Sequence, residues 1–166
     1  MKKYKGTLIV VSICVLLAVL SLVQFRNNRN LKKDLGAAYA QEASGLQSTF
    51  TLMSRTDWTD IDTNSEEGEI ILSHFWDQLD PNLLYTPGSP DHWHLFSQEV
   101  REVRLMLSKL QETEELTDEE YEELTARSHA LSRLLDNIRY TPSFDWYKAI
   151  REQNPDIEEL IKETLE

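Results

Sequence analysis

Hydrophobic positions follow two different regimes along this chain. From Leu8 to Phe25 they fill every face, reading LIVVSICVLLAVLSLVQF, with no charge between Lys5 and Arg26. Thirteen of those eighteen residues are Leu, Ile, Val or Phe. At about 1.5 Å per residue such a run spans a hydrocarbon layer of about 30 Å, so it predicts a transmembrane helix. Beyond it the apolar residues recur at steps of three and four, which is the mark of amphipathic helices.

Leu31, Leu35, Tyr39, Ala43, Leu46, Phe50 and Met53 predict a helix to about Ser54, with no proline separating it from the apolar run. Gly36 and Gly45 each weaken that helix by about 1 kcal/mol relative to alanine. A polar loop, Arg55 to Ser65, precedes a second helix from Ser65 to Leu79 carrying Ile71, Leu72, Phe75, Trp76 and Leu79. The segment Asp80 to Pro90, with Pro81, Pro87, Gly88 and Pro90, reads as a loop. Ser89-Pro90 opens the third helix, whose stripe of Trp93, Phe96, Val100, Val103, Leu107 and Leu110 has coiled-coil spacing. Thr117 and Glu120 form a capping box for the fourth, with Tyr121, Leu124, Leu131, Leu135 and Ile138 on one side and Ser128 in the gap. Thr141-Pro142 and Asn154-Pro155 open two short helices, the first with Phe144, Tyr147 and Ile150, the second with Ile157, Leu160, Ile161 and Leu165. No sustained period-two run exists, so no strand is expected. The expected fold is all-α: an N-terminal transmembrane helix followed by an antiparallel bundle of four main helices and two short C-terminal ones. Its divisions are a basic tail over 1–6, a signal anchor over 7–25, a juxtamembrane helix over 26–54 packing with the bundle, and an acidic bundle over 55–166.

Charge sharpens this picture. The chain of 166 residues carries a net charge of −12, yet Lys2, Lys3 and Lys5 precede the apolar run and all the acids follow it. The part beyond the run is therefore strongly acidic, which argues against nucleic acid as a partner, since phosphate binding needs clustered Lys and Arg. Only Arg26, Arg29, Lys32 and Lys33 are clustered, and they abut the apolar run, where anionic headgroups attract them. The single cysteine, Cys14, lies inside the run, so a disulfide, a zinc–thiolate site and a cysteine nucleophile are excluded from the rest. Ala38-Tyr39-Ala40 resembles a signal cleavage site, but it lies far past the run and beyond four basic residues. Ile13 before Cys14 is too bulky for a lipoprotein signal. An uncleaved anchor is expected, with the C-terminal part outside the cytoplasm of a cell membrane. Cys14, Ala18 and Ser21 share one face of it, a small-residue face that suits helix association and a homo-oligomer.

Candidate chemistry is sparse. Asp60, Asp62 and Asn64 match the first ligands of a calcium loop, but Ser65 and Ile71 stand where glycine and the bidentate glutamate belong. The same residues make a helix start, with Asn64 and Glu67 as its capping pair. His92 and His94 point to opposite sides of a helix, and His74 with Asp77 is too few ligands for a site. No catalytic motif and no cofactor-binding pattern is present. Glu112 to Glu123 holds eight acids among twelve residues, a solvated turn or a dock for a basic partner. Among the aromatics, Trp58 and Tyr85 lie in loops and are the ones expected to be exposed. The leading expectation is a non-enzymatic, single-pass interaction or scaffolding module of the bacterial envelope with a protein partner. A bundle sensing a ligand through a membrane partner, and a metal-dependent enzyme or calcium-stabilised module, are the alternatives.

Overall fold

The structure, a computed structural model, describes residues 2–80, 84–85, 87–113, 115–141 and 145–165, with the backbone alone for 2–12 and 113. Every regular element among them is helical: α1 Lys2–Met53, a 3-10 turn Trp58–Asp60, α2 Glu66–Gln78, α3 His92–Thr113, α4 Asp118–Arg139, α5 Trp146–Arg151 and α6 Pro155–Leu165. The chain divides into two compact units, Met1–Leu35 and Gly36–Glu166. Among the described residues no helix is long and apolar enough to cross a membrane. The side chains of residues 8–12, part of the predicted anchor, lie outside those described.

In the second unit the amphipathic stripes meet as one core. Ala43, Leu46, Phe50 and Met53 of α1 join Leu72 and Phe75 of α2. All six residues of the α3 stripe are buried, from Trp93 to Leu110. Leu124, Leu131, Leu135 and Ile138 of α4 and Ile157 and Ile161 of α6 complete it. Helix α3 packs against α2, α4 and α6, and α4 also packs against α6.

Side-chain pairs show the directions. Lys109 near the end of α3 reaches Glu120 at the start of α4 at 2.5 Å, while Arg127 farther along α4 pairs with Glu99 farther back on α3. The two helices are therefore antiparallel, as their short connection demands. Gln47 Nε2 donates to Asp136 Oδ1 at 3.2 Å, and Thr51 Oγ1 lies 2.7 Å from Ser132 Oγ, so α1 and α4 are antiparallel too.

Local chemistry explains most of the helix ends. Thr117 Oγ1 accepts from the Glu120 N–H, and the Glu120 carboxylate accepts from the Thr117 N–H at 2.9 Å, the predicted capping box. The Lys109 ammonium and these capping bonds hold the Glu120 carboxyl down at about 2. Asn154 Oδ1 accepts from the Asp156 N–H at 3.1 Å and starts α6 as predicted.

Other starts differ from expectation. Helix α2 is capped by Ser65, whose Oγ accepts from the Gly68 N–H at 3.0 Å, and not by Asn64. Pro90 does not open the α-helix; two turn bonds, from Trp93 N–H to the Pro90 carbonyl and from His94 N–H to the Asp91 carbonyl, lead into α3 at His92. Helix α5 is capped by Asp145, whose Oδ1 accepts from the Tyr147 and Lys148 N–H groups, and not by Thr141. Pro142 and Phe144 of that expectation lie outside the described residues. An Asp placed before an N–H pair outcompetes the Thr-Pro signal upstream.

Candidate functional site

The two loop aromatics expected to be exposed are not. Trp58 is 3% exposed, because its 3-10 turn folds back so that Nε1 donates to the Met53 carbonyl at 3.1 Å. Its ring also meets Phe75 at 5.5 Å. Tyr85 is half-buried and its ring lies 5.5 Å from that of His94. Trp76 is covered on one face by the Arg104 guanidinium, 4.1 Å above its ring, and Trp93 Nε1 donates to the Ala149 carbonyl at 2.7 Å. These large aromatics thus fasten elements together, while Tyr140 at the end of α4 is exposed.

A large opening lies between residues 54–59 and the N-terminal half of α4. Its volume is about 650 Å³, and Trp58, Tyr121, Thr125 and His129 line it with Asp57 and Glu122. Tyr121, Thr125 and His129 sit at i, i+4 and i+8, so one face of α4 supplies three of them. The periodicity of α4 marks Tyr121 as a core residue, while Thr125 and His129 carry no apolar signal. Their shared spacing is the one sequence feature that would have grouped them. A tryptophan locked by its own hydrogen bond and ring contact gives this cleft a fixed wall. The wall is mixed in character, with an aromatic, hydroxyls, an imidazole and charges of both signs, since Arg55 also lines it.

The other sequence candidates are dispersed. Asp60 closes the 3-10 turn, and Asp62 Oδ1 accepts from the Asn64 N–H at 3.1 Å, with all three residues exposed. The Asp62 carbonyl is used inward, accepting from Ser65 N–H at 3.0 Å and Ser65 Oγ at 2.7 Å. Among the described residues no group of three or more His, Cys, Asp or Glu is placed to hold a metal ion. His92 is buried and His94 exposed, as their spacing implies. Burial pushes the His92 imidazole down; Glu158 opposes that, Lys162 adds to it, and Asp91 opposes it. His74 and Asp77 are both exposed on α2. Glu42 of α1 has one carboxylate oxygen buried without a hydrogen bond, and burial together with Asp80 pushes its carboxyl up.

In the first unit, Cys14, Ala18 and Ser21 are exposed along with their apolar neighbours. From Ile13 to Phe25 the large apolar side chains are between 50% and 70% exposed. No protein-family model, no curated protein and no solved structure matches this chain.

Proposed function

We propose that the chain is a single-pass membrane protein, anchored by residues 7–25, whose helical unit serves as an interaction or scaffolding module of the bacterial cell envelope. The observation that carries this reading is the stretch from Ile13 to Phe25, whose large apolar side chains are all at least half exposed. In water that surface is unfavourable by about 25 cal/mol per Å², whereas lipid accepts it. Lys2, Lys3 and Lys5 on one side and Arg26, Arg29, Lys32 and Lys33 on the other bracket the run where headgroups lie. The second unit supports the interaction role, because its cleft combines a fixed aromatic wall with polar groups.

The test is made in cells. A Gln98→Cys variant is labelled with a membrane-impermeant maleimide before and after lysis, and the membranes are then washed with carbonate. Retention in the washed membrane, with labelling of intact cells, is expected. Release by carbonate sinks the anchor, and labelling only after lysis puts the helical unit on the cytoplasmic side. A photo-crosslinking residue at Thr125 should give discrete protein adducts that the same residue at Ser73 on α2 does not.

A second reading is favoured by the size of the cleft. Its volume, about 650 Å³, falls in the range of small-molecule sites, so the unit would sense a solute through a membrane partner. A solute that raises the melting temperature of the wild type but not of a Thr125→Trp variant would select this reading.

A further inference from the structure

We infer that α1 pairs with a second copy of itself, in parallel and in register, along a heptad seam that runs from Cys14 to Leu35. The inference rests on the anchored reading, because a shared membrane orients both copies alike.

Starting at Cys14 and stepping three and four residues alternately, the helix presents Leu17, Ser21, Gln24, Asn28, Leu31 and Leu35. Over these three heptads Cys14, Leu17, Leu31 and Leu35 are apolar, and the three positions between them, Ser21, Gln24 and Asn28, are polar. Cys14, Ser21, Asn28 and Leu35 hold the first core position, and Leu17, Gln24 and Leu31 the second. The seam shares Cys14 and Ser21 with the small-residue face, but it extends beyond the apolar run, and that extension decides who covers it.

Leu31 is 58% exposed and Leu35 is 36% exposed. They lie about 9 Å and about 15 Å of helix beyond Phe25, Leu31 among the basic residues that mark the headgroups and Leu35 past the last of them, so both lie beyond the lipid chains. An apolar pair repeated at a step of four outside the membrane therefore calls for protein. The charges agree with this. Arg26 and Lys33 fall at the heptad position opposite the seam and Arg29 beside that position, while Lys32 flanks the seam, so two parallel copies turn three of the four positive charges outward. The amides identify the partner. Gln24 and Asn28 occupy core positions near the end of the apolar run, where an aliphatic side chain would be the default. Each amide both donates and accepts, so it is satisfied by the same residue of an identical chain in register. A single asparagine at the first core position is also a device that selects two parallel strands.

The experiment uses the full chain in its own membrane. In a Cys14→Ser background, single cysteines replace Asn28, Arg29, Asn30, Leu31, Lys33 and Leu35 in turn, and the membranes are oxidised. Disulfides demand close, well-directed Cβ atoms, so dimer yield should be at least about fivefold higher at 28, 31 and 35 than at 29, 30 and 33. The same membranes are then washed with carbonate. Retention with an even yield across the six positions, or with its maxima at 29 and 33, overturns the seam and leaves the anchor standing. Periodic adducts of a different mass overturn self-pairing in favour of another helix. Release by the wash removes the anchor itself.

Discussion

By helix propensity alone, Gly45→Ala and Gly68→Ala are the same change. Each replaces glycine by alanine inside a helix, and each should stabilise by about 1 kcal/mol. The surroundings separate them. Gly45 is exposed, and a Cβ there meets nothing within 4 Å. At Gly68 a Cβ would lie 2.1 Å from the Asp62 carbonyl oxygen and 2.9 Å from its carbon. That oxygen cannot simply withdraw. It accepts from Ser65 N–H at 3.0 Å and from Ser65 Oγ at 2.7 Å, and the same Oγ caps α2 by accepting from Gly68 N–H at 3.0 Å. Moving Asp62 by the ångström that alanine needs breaks the turn and the cap together. Two turn bonds at about 0.5–1.5 kcal/mol each and a cap at about 1 kcal/mol come to about 2–4 kcal/mol. Subtracting the propensity gain leaves Gly68→Ala destabilised by about 1–3 kcal/mol. Gly45→Ala keeps its gain.

Thermal unfolding of the full chain in detergent, followed through tryptophan fluorescence, reads both changes, since Trp58 packs on Phe75 of α2. At about 3–5 °C per kcal/mol for a unit of this size, the two variants should move the midpoint in opposite directions. Equal shifts, or a Gly68→Ala variant more stable than wild type, would refute the packing of the 62–68 turn against α2.

Two further predictions concern buried polar groups. Ser128 is fully buried on α4 and its hydroxyl has no hydrogen-bond partner, so Ser128→Ala should stabilise by about 1–2 kcal/mol through lost desolvation cost and better helix propensity. A lowered urea midpoint would mean that the hydroxyl is bonded. His92, buried against α6 where Glu158 and Lys162 act on it and beside Asp91 on its own segment, has its protonation pushed below the ordinary 6.5 chiefly by burial. The unfolded chain then takes up the proton first, so stability is full above about pH 7 and falls as pH drops through the ordinary imidazole range. His92→Leu should flatten the urea midpoint between pH 7 and pH 5, and an unchanged slope would assign the acid sensitivity to other groups.

How far a feature was legible depended on whether one helix carried it. The α3 stripe could be read because period and burial are the same fact there: Trp93, Phe96, Val100, Val103, Leu107 and Leu110 face one side and all are covered. The capping box at Thr117 was legible for a similar reason, since its two partners are three residues apart. Leu134 was missed because α4 is buried on two sides, by α3 and α6, which a single stripe does not anticipate. Trp58 was assigned to solvent because its loop is polar, but its fate is decided by Met53 and Phe75 on two other elements. Of the cleft only the spacing of Tyr121, Thr125 and His129 along α4 was legible, because its other wall, residues 54–59, is far from them in sequence. A recognition surface made between helices leaves no period in the chain, whereas one made along a single helix does. In the pairing proposed for α1 a partner's requirement and the sequence period coincide, so its test falls on particular side chains, Leu31 and Leu35.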